Sequence, residues 1–84
     1  MAASWQVYLV KCADGTLYTG VATDLERRLL QHNGALAGGP KYTRGRRPVQ
    51  LLWSAGAVNR SEAQQREAAF KKLRRSEKLS LVND

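Results

Sequence analysis

Polar and apolar positions alternate with a period of two through the first part of the chain. "WQVYLVKC" (5–12) is rich in β-branched and aromatic residues, "ADGT" supplies turn residues, and "LYTGV" (17–21) resumes the alternation, a pattern that predicts a β-hairpin. The length of its loop decides which side chains share a face. A two-residue Asp14–Gly15 loop pairs Ala13 with Thr16 and sets Tyr8 and Tyr18 on opposite faces. A three-residue loop, with Gly15 in the left-handed region, pairs Cys12 with Thr16, Val10 with Tyr18 and Tyr8 with Gly20. Glycine inside a strand gives nothing to pack and marks a close approach. Only the second loop explains Gly20, which then clears space for the Tyr8 ring, so the second register is expected.

The period then lengthens. In "TDLERRLLQHNG" (23–34), Thr23 is the expected N-cap, Glu26 closes a capping box three positions on, and Gly34 is a stop signal. Leu25 and Leu29 define the buried stripe. Arg28 and His32 fall at the i+3 and i+7 positions of the same stripe and point inward with the leucines, while Arg27 points outward. "ALAGGPKYTRGRRP" (35–48) reads as a loop, "VQLLW" (49–53) as a third strand and "SAGAVNR" (54–60) as a connection. Residues 61–82 read as helix, opened by Ser61 with Gln64 as a second capping box and broken near Ser76. Its apolar stripe is Ala63, Ala69, Phe70 and Leu73, with Glu67 at the edge and Arg66 inside it as a snorkelling stem. The expected fold is α+β: a three-stranded antiparallel sheet with packed helices, in the order β-β-α-β-α-α, forming one domain over residues 1–84.

Composition narrows the function. Fourteen Lys and Arg against seven Asp and Glu give a net charge of +7, and the pI is near 10.2. Such a field attracts polyanions, nucleic acid first among them. The cations are clustered: Lys41, Arg44, Arg46 and Arg47 share a loop with Tyr42, and Lys71, Lys72, Arg74 and Arg75 share the last helical stretch. No apolar run approaches the ~20 residues of a membrane span, and "MAASWQ" lacks the pattern of a signal peptide. The lone Cys12 excludes an internal disulfide and fits a reducing cytoplasm, the expected location.

Tyr8, Tyr18, Arg28, His32, Tyr42 and Glu67 are the candidates for chemistry. Each has an ordinary explanation alone: packing for a tyrosine, capping for His32, an i,i+4 pair with Lys71 for Glu67. Together, phenols, an inward cation, an imidazole and an acid in a basic protein suggest a site. In order along the chain they also carry a resemblance. "QVY" (6–8) stands where GIY-YIG nucleases have Gly-Ile-Tyr, and "YTG" (18–20) where they have Tyr-Ile-Gly. "ATDLERRLLQH" matches the following helix, with Arg28 at the family's arginine and His32 one turn later. "KYTRGRRPVQLLW" and "REAAFKKLRRSEKLSLV" are similar to the small single-domain bacterial members, and Glu67 matches the metal-binding glutamate. Gln6, Val7 and Thr19 depart from the motif letters, Val21 stands where some relatives have lysine, and for the late asparagine the chain offers only Asn83, at its end.

The resemblance implies a metal-dependent DNA endonuclease. It makes Glu67 the ligand of a single Mg²⁺ or Mn²⁺ ion and Arg28 the contact to the scissile phosphate. Tyr8 or Tyr18 accepts a proton from water, with Tyr8 favoured as base, Tyr18 positioning water or phosphate, and His32 orienting or assisting. Gly20 lets Tyr8 stand beside Tyr18; Lys41, Tyr42, Arg44, Arg46 and Arg47 grip substrate. These grips suit phosphates and a stacked base, so single-stranded or branched DNA is the expected substrate; a monomer is the expected state. Two other readings fit the charge: a binding module on the same scaffold that does not cut, and an RNA- or ribosome-associated accessory protein.

Overall fold

A computed structural model describes residues 5–82; residues 1–4 and Asn83 lie outside them. Strands β1 (Trp5–Lys11) and β2 (Leu17–Ala22) form the hairpin, and β3 (Gln50–Ala57) pairs with the other edge of β1 in an antiparallel sheet of order β2-β1-β3. Helices α1 (Leu25–His32), α2 (Lys41–Arg44), α3 (Arg60–Lys71) and α4 (Arg75–Val82) complete the fold. Among the described residues no helix is long and apolar enough to cross a membrane.

The hairpin has the three-residue loop. Cys12 N–H donates to Thr16 O at 2.8 Å and Gly15 sits at φ 86°, where a side chain would be strained. The register follows: Tyr8 opposite Gly20, Val10 opposite Tyr18. Asp14 fixes the turn by accepting from the Thr16 amide and hydroxyl. The loop ahead of β3 is clasped to it, since Ala13 N–H donates to Arg46 O and the Arg46 guanidinium pairs with Asp14 at 3.1 Å.

Alternation along β1 divides the core in two. Tyr8, Val10 and Cys12 face one way, joined by Ala22, Val49, Tyr18 and the α1 leucines Leu25 and Leu29. Val7 and Leu9 face the other way. Leu9 pairs with Trp53, whose indole stacks on Phe70 of α3 at 4.8 Å, so α3 covers the face opposite Tyr8. Ala63 and Phe70 are its buried residues.

Several boundaries differ from the expectation, each for a local reason. Asp24, not Thr23, caps α1, its carboxylate accepting from Arg27 N–H at 3.0 Å; a carboxylate serves a helix N-terminus better than a hydroxyl because it also opposes the dipole. Asn59, not Ser61, caps α3 by accepting from Glu62 N–H, and Glu62 in turn accepts from Val58 N–H. Strand β3 runs on through Ser54–Ala57, which pair with Trp5–Tyr8: ladder bonds to a central strand override the low strand propensity of Ala and Gly. The loop 35–48 contains the helical turn α2, which adds one helix to the expected order. The break before α4 falls ahead of Arg75 rather than near Ser76. Ala69 is exposed, and Arg66 leaves the stripe to bond Gly56 O and pair with Glu62.

Candidate active site

Gly20 is where the hairpin and the site meet. A Cβ built there would lie 2.5 Å from the Tyr8 hydroxyl and 2.7 Å from its Cζ. The bare backbone therefore lets the phenol reach across β2, and helix α1 supplies its partner. The hydroxyl stands 2.7 Å from His32 Nε2, with both residues 0% exposed. Helical phase delivers His32 there, one turn beyond Arg28 and in line with Leu25 and Leu29.

The imidazole is held on every side. Its ring meets Tyr8 and Tyr18 edge-on at 5.6 and 5.3 Å, and Nδ1 is 3.0 Å from the hydroxyl of Thr43, another fully buried side chain. The Thr43 hydroxyl donates to Pro40 O at 3.2 Å. Arg47 Nε donates to the His32 carbonyl at 2.7 Å, bracing the last turn of α1. Asn33 closes the helix by exchanging two hydrogen bonds with the Val49 backbone, which fixes α1 against the start of β3.

Burial dominates the proton affinities. It pushes the Tyr8 phenol up to about 12, against the pull of the Arg28 guanidinium, with Tyr18 and Glu67 adding small contributions in the same direction as burial. It pushes His32 down to about 4, and the positive charges of Arg28 and Arg47 push the same way. At rest the phenol is protonated and the imidazole neutral.

Arg28 is half-buried. It donates to Gln31 Oε1 at 2.9 Å and to Gly38 O at 3.2 Å, so its guanidinium is fixed beside the Tyr8–His32 pair. Arg27 is exposed. A shallow groove of ≈ 300 Å³, lined by Trp5, Val21, Asp24, Arg27, Arg28 and Gln31 among others, opens next to Arg28. Glu67 comes from α3, and its charge reaches the Tyr8 phenol as the smallest influence there. Its carboxylate lies 3.7 Å from Lys71.

The structure brings Tyr8, Tyr18, Arg28 and His32 together, and Glu67 acts on Tyr8 through its charge, with no hydrogen bond to the cluster among the described residues. The loop residues divide. Tyr42, 41% exposed, stacks on Tyr18 at 5.6 Å and 28°, with Arg46 over its ring at 4.2 Å. Arg46 and Arg47 are tied into the fold, whereas Lys41 and Arg44 are exposed and have no side-chain partner among the described residues. In the last helices Arg75 donates to Gly15 O and Lys78 lies over Phe70. Thr43 was not among the candidates; a threonine between cations carries no signal until α2 turns it toward His32.

For a divalent ion the donor set is sparse. Among the described residues no three His, Cys, Asp or Glu side chains converge. One carboxylate still suits Mg²⁺, a hard ion that keeps several of its waters and takes few protein ligands. Glu67 fits that role.

Residues 4–80 match the family model described as the GIY-YIG catalytic domain. The chain is 51% identical over 79 residues to the UPF0213 protein DP2720 of Desulfotalea psychrophila, an alignment covering 94% of this chain and 71% of that protein. It is 48% identical to the UPF0213 protein NP_0776A of Natronomonas pharaonis, covering 100% and 96%. Two solution NMR structures share the architecture. The UPF0213 protein BH0048 of Bacillus halodurans gives a TM-score of 0.59 at 38% identity, covering 95% of this chain and 83% of that one. The protein EF2693 of E. faecalis gives 0.62 at 39%, covering 98% and 86%.

Proposed function

Because the chain belongs to the GIY-YIG catalytic-domain family, we propose that it is a metal-dependent endonuclease that hydrolyses DNA phosphodiester bonds, single-stranded or branched DNA being its substrate. The observation that carries the reading is the buried Tyr8–His32 contact at 2.7 Å, flanked by Tyr18 and the fixed guanidinium of Arg28.

A resting phenol with a pKa of about 12 cannot take a proton unless it gives one up. His32 provides the outlet. As water attacks phosphorus, its proton passes to the Tyr8 oxygen while the phenol's own proton moves to His32 Nε2, leaving a neutral tyrosine and an imidazolium. The new P–O bond forms as the P–O3′ bond breaks, and the departing oxygen is protonated from solvent. Arg28 is permanently charged and donates only, so it neutralises the phosphate and favours developing phenolate character on Tyr8. Tyr18, half-buried beside both rings, positions the water or the phosphate oxygen. Glu67 holds the ion, which when bound supplies charge neutralisation at the phosphate and the leaving oxygen. Lys41 and Arg44 grip flanking phosphates, and Tyr42 offers a base an aromatic face if Arg46 swings aside.

The Glu67–Lys71 pair favours a second reading, a module that binds nucleic acid without cutting it, because a lysine already partners the carboxylate. One experiment separates them: labelled single-stranded, duplex and branched DNA incubated with the protein in Mg²⁺, Mn²⁺ or EDTA. Cleavage only with metal, faster on single-stranded or branched DNA, supports the enzyme. Tight binding without products supports the module, and faster cutting of unbroken duplex defeats the substrate assignment.

A further inference from the structure

A hydroxyl has one proton to give, an imidazole in its neutral form has one N–H, and a carbonyl accepts only. Applied to the buried chain from Tyr8 to Pro40, these limits leave one complete assignment. The Thr43 hydroxyl donates to Pro40 O at 3.2 Å, so toward His32 it acts as acceptor and Nδ1 must be the protonated nitrogen at 3.0 Å. Nε2 is then a bare lone pair, and the Tyr8 hydroxyl donates to it at 2.7 Å. The opposite tautomer would point Nε2–H at the phenol oxygen. A fully buried Tyr8 would then need another acceptor for its own proton, and neighbouring Arg28 is a donor only.

We propose that Thr43, acting with the Pro40 carbonyl, is a positioning residue that fixes His32 in its Nδ1–H tautomer and so keeps Nε2 open to receive the Tyr8 proton. Free imidazole side chains favour the Nε2–H form, so the selection has to come from the surroundings. Here α2 makes it: the turn that begins at Pro40 carries both the carbonyl and, three residues on, the hydroxyl. The same turn places Tyr42 against Tyr18, so one short helix sets the proton acceptor and part of the aromatic wall. With the tautomer reversed, Nε2 is a donor and the relay from Tyr8 has no terminus. The tautomer assignment stands on the hydrogen bonds alone; its catalytic meaning rests on the nuclease reading above.

The chain contains a single histidine, so the test is unambiguous. In uniformly ¹⁵N-labelled full-length protein, long-range ¹H–¹⁵N correlation spectra report the two ring nitrogens of His32 directly. The wild type is expected to show a protonated, pyrrole-like Nδ1 and an unprotonated, pyridine-like Nε2. Thr43→Val removes the acceptor at nearly constant shape and should shift the ring toward Nε2–H, while Thr43→Ser restores the wild-type pattern. On DNA, Thr43→Val should lower kcat at least about tenfold with little change in KM, since losing the partner that orients a histidine acts on the chemical step, and Thr43→Ser should recover it. A wild-type spectrum with Nε2 protonated overturns the proposal, as does a Thr43→Val spectrum still showing Nδ1–H. Should Thr43→Val fail to fold, the wild-type and Thr43→Ser spectra decide the matter. A wild type with the Nδ1–H pattern but no cleavage activity would sink the nuclease reading and leave the tautomer assignment standing.

Discussion

Replacing Gly20 with alanine adds one methyl group at the point where the sheet and the site touch. The backbone at Gly20 is outside the left-handed region, so alanine meets no conformational penalty and, in a strand, gains about 0.5–1 kcal/mol over glycine. The cost is collision. The new Cβ falls 2.5 Å from the Tyr8 hydroxyl, 2.7 Å from Cζ and 3.0 Å from Cε2. An exposed tyrosine would swing aside, but this ring is fully buried and hydrogen-bonded. Overpacking of this kind costs about 1–3 kcal/mol. Prising the phenol from His32 leaves a buried donor and acceptor unmatched, for about another 1–3 kcal/mol. The net expectation is a loss of about 2–4 kcal/mol, a large part of the roughly 4–13 kcal/mol that a chain of this length possesses. Urea unfolding followed by tryptophan fluorescence measures it. In a double-mutant cycle with Tyr8→Phe, which removes the oxygen at 2.5 Å, Gly20→Ala should cost about 1 kcal/mol less than in the wild type. If Gly20→Ala is as stable as the wild type, or the cycle shows no coupling, the pairing of Tyr8 with Gly20 is wrong and the account of the site fails with it.

Other outcomes test separate links. Glu67→Gln should abolish metal-dependent cleavage while leaving DNA binding and unfolding midpoint unchanged; full activity would remove Glu67 as the metal ligand. Arg28→Ala should lose most activity and Arg27→Ala little, because Gln31 and Gly38 hold only Arg28 beside the phenol; equal losses would mean that guanidinium placement is irrelevant. Thr19 presents a buried hydroxyl with no hydrogen-bond partner, so the near-isosteric Thr19→Val should raise stability by about 1 kcal/mol, and a loss would show that the hydroxyl is satisfied after all. His32 supplies a pH dependence. Its folded pKa of about 4 lies below the unfolded 6.5, so below 6.5 the unfolded chain binds the proton first and stability falls as pH drops toward 4. The contribution lost between pH 7 and pH 5 is about 2 kcal/mol, read as the difference in urea-midpoint slope between wild type and His32→Asn. Parallel slopes would contradict a buried neutral imidazole.

How much of this was legible in the sequence varies with the kind of signal. The hairpin register was, because Gly20 is inexplicable in the alternative pairing. The inward aim of Arg28 and His32 was, because helical phase is fixed once Leu25 and Leu29 are placed. Cap positions were not: Thr23 and Asp24, or Asn59 and Ser61, are competent neighbours, and one dihedral chooses between them. The second half of β3 was hidden because Ser54–Ala57 is strand only by virtue of the pairing that Trp5–Tyr8 offers. Thr43 was hidden more deeply. Its partner is eleven residues away, and no periodicity links a helical turn inside a glycine-rich loop to the end of α1.

The order of strands in the sheet also bears on how the chain is made. The first strand to be synthesised is the central one, and its two neighbours arrive at very different times. β2 follows after a tight turn, but the far edge of β1 is paired only when β3 has emerged, with Ala57, the residue opposite Trp5, as its last position. Between Ala22 and Ala57 the ribosome adds 35 residues, which takes about 2–7 s at ordinary elongation rates. For that interval an apolar strand, Val7–Val10, exposes an open row of backbone donors and acceptors, the kind of edge that recruits strands from other chains. The Asn33–Val49 clasp does not hasten synthesis but shortens the search that follows it, because α1 holds the residue just ahead of β3 and directs that strand to its place. Asn33 therefore acts as a guide for the nascent chain: without it, the defect expected first is poor soluble yield at high expression, before any change in the cleavage chemistry.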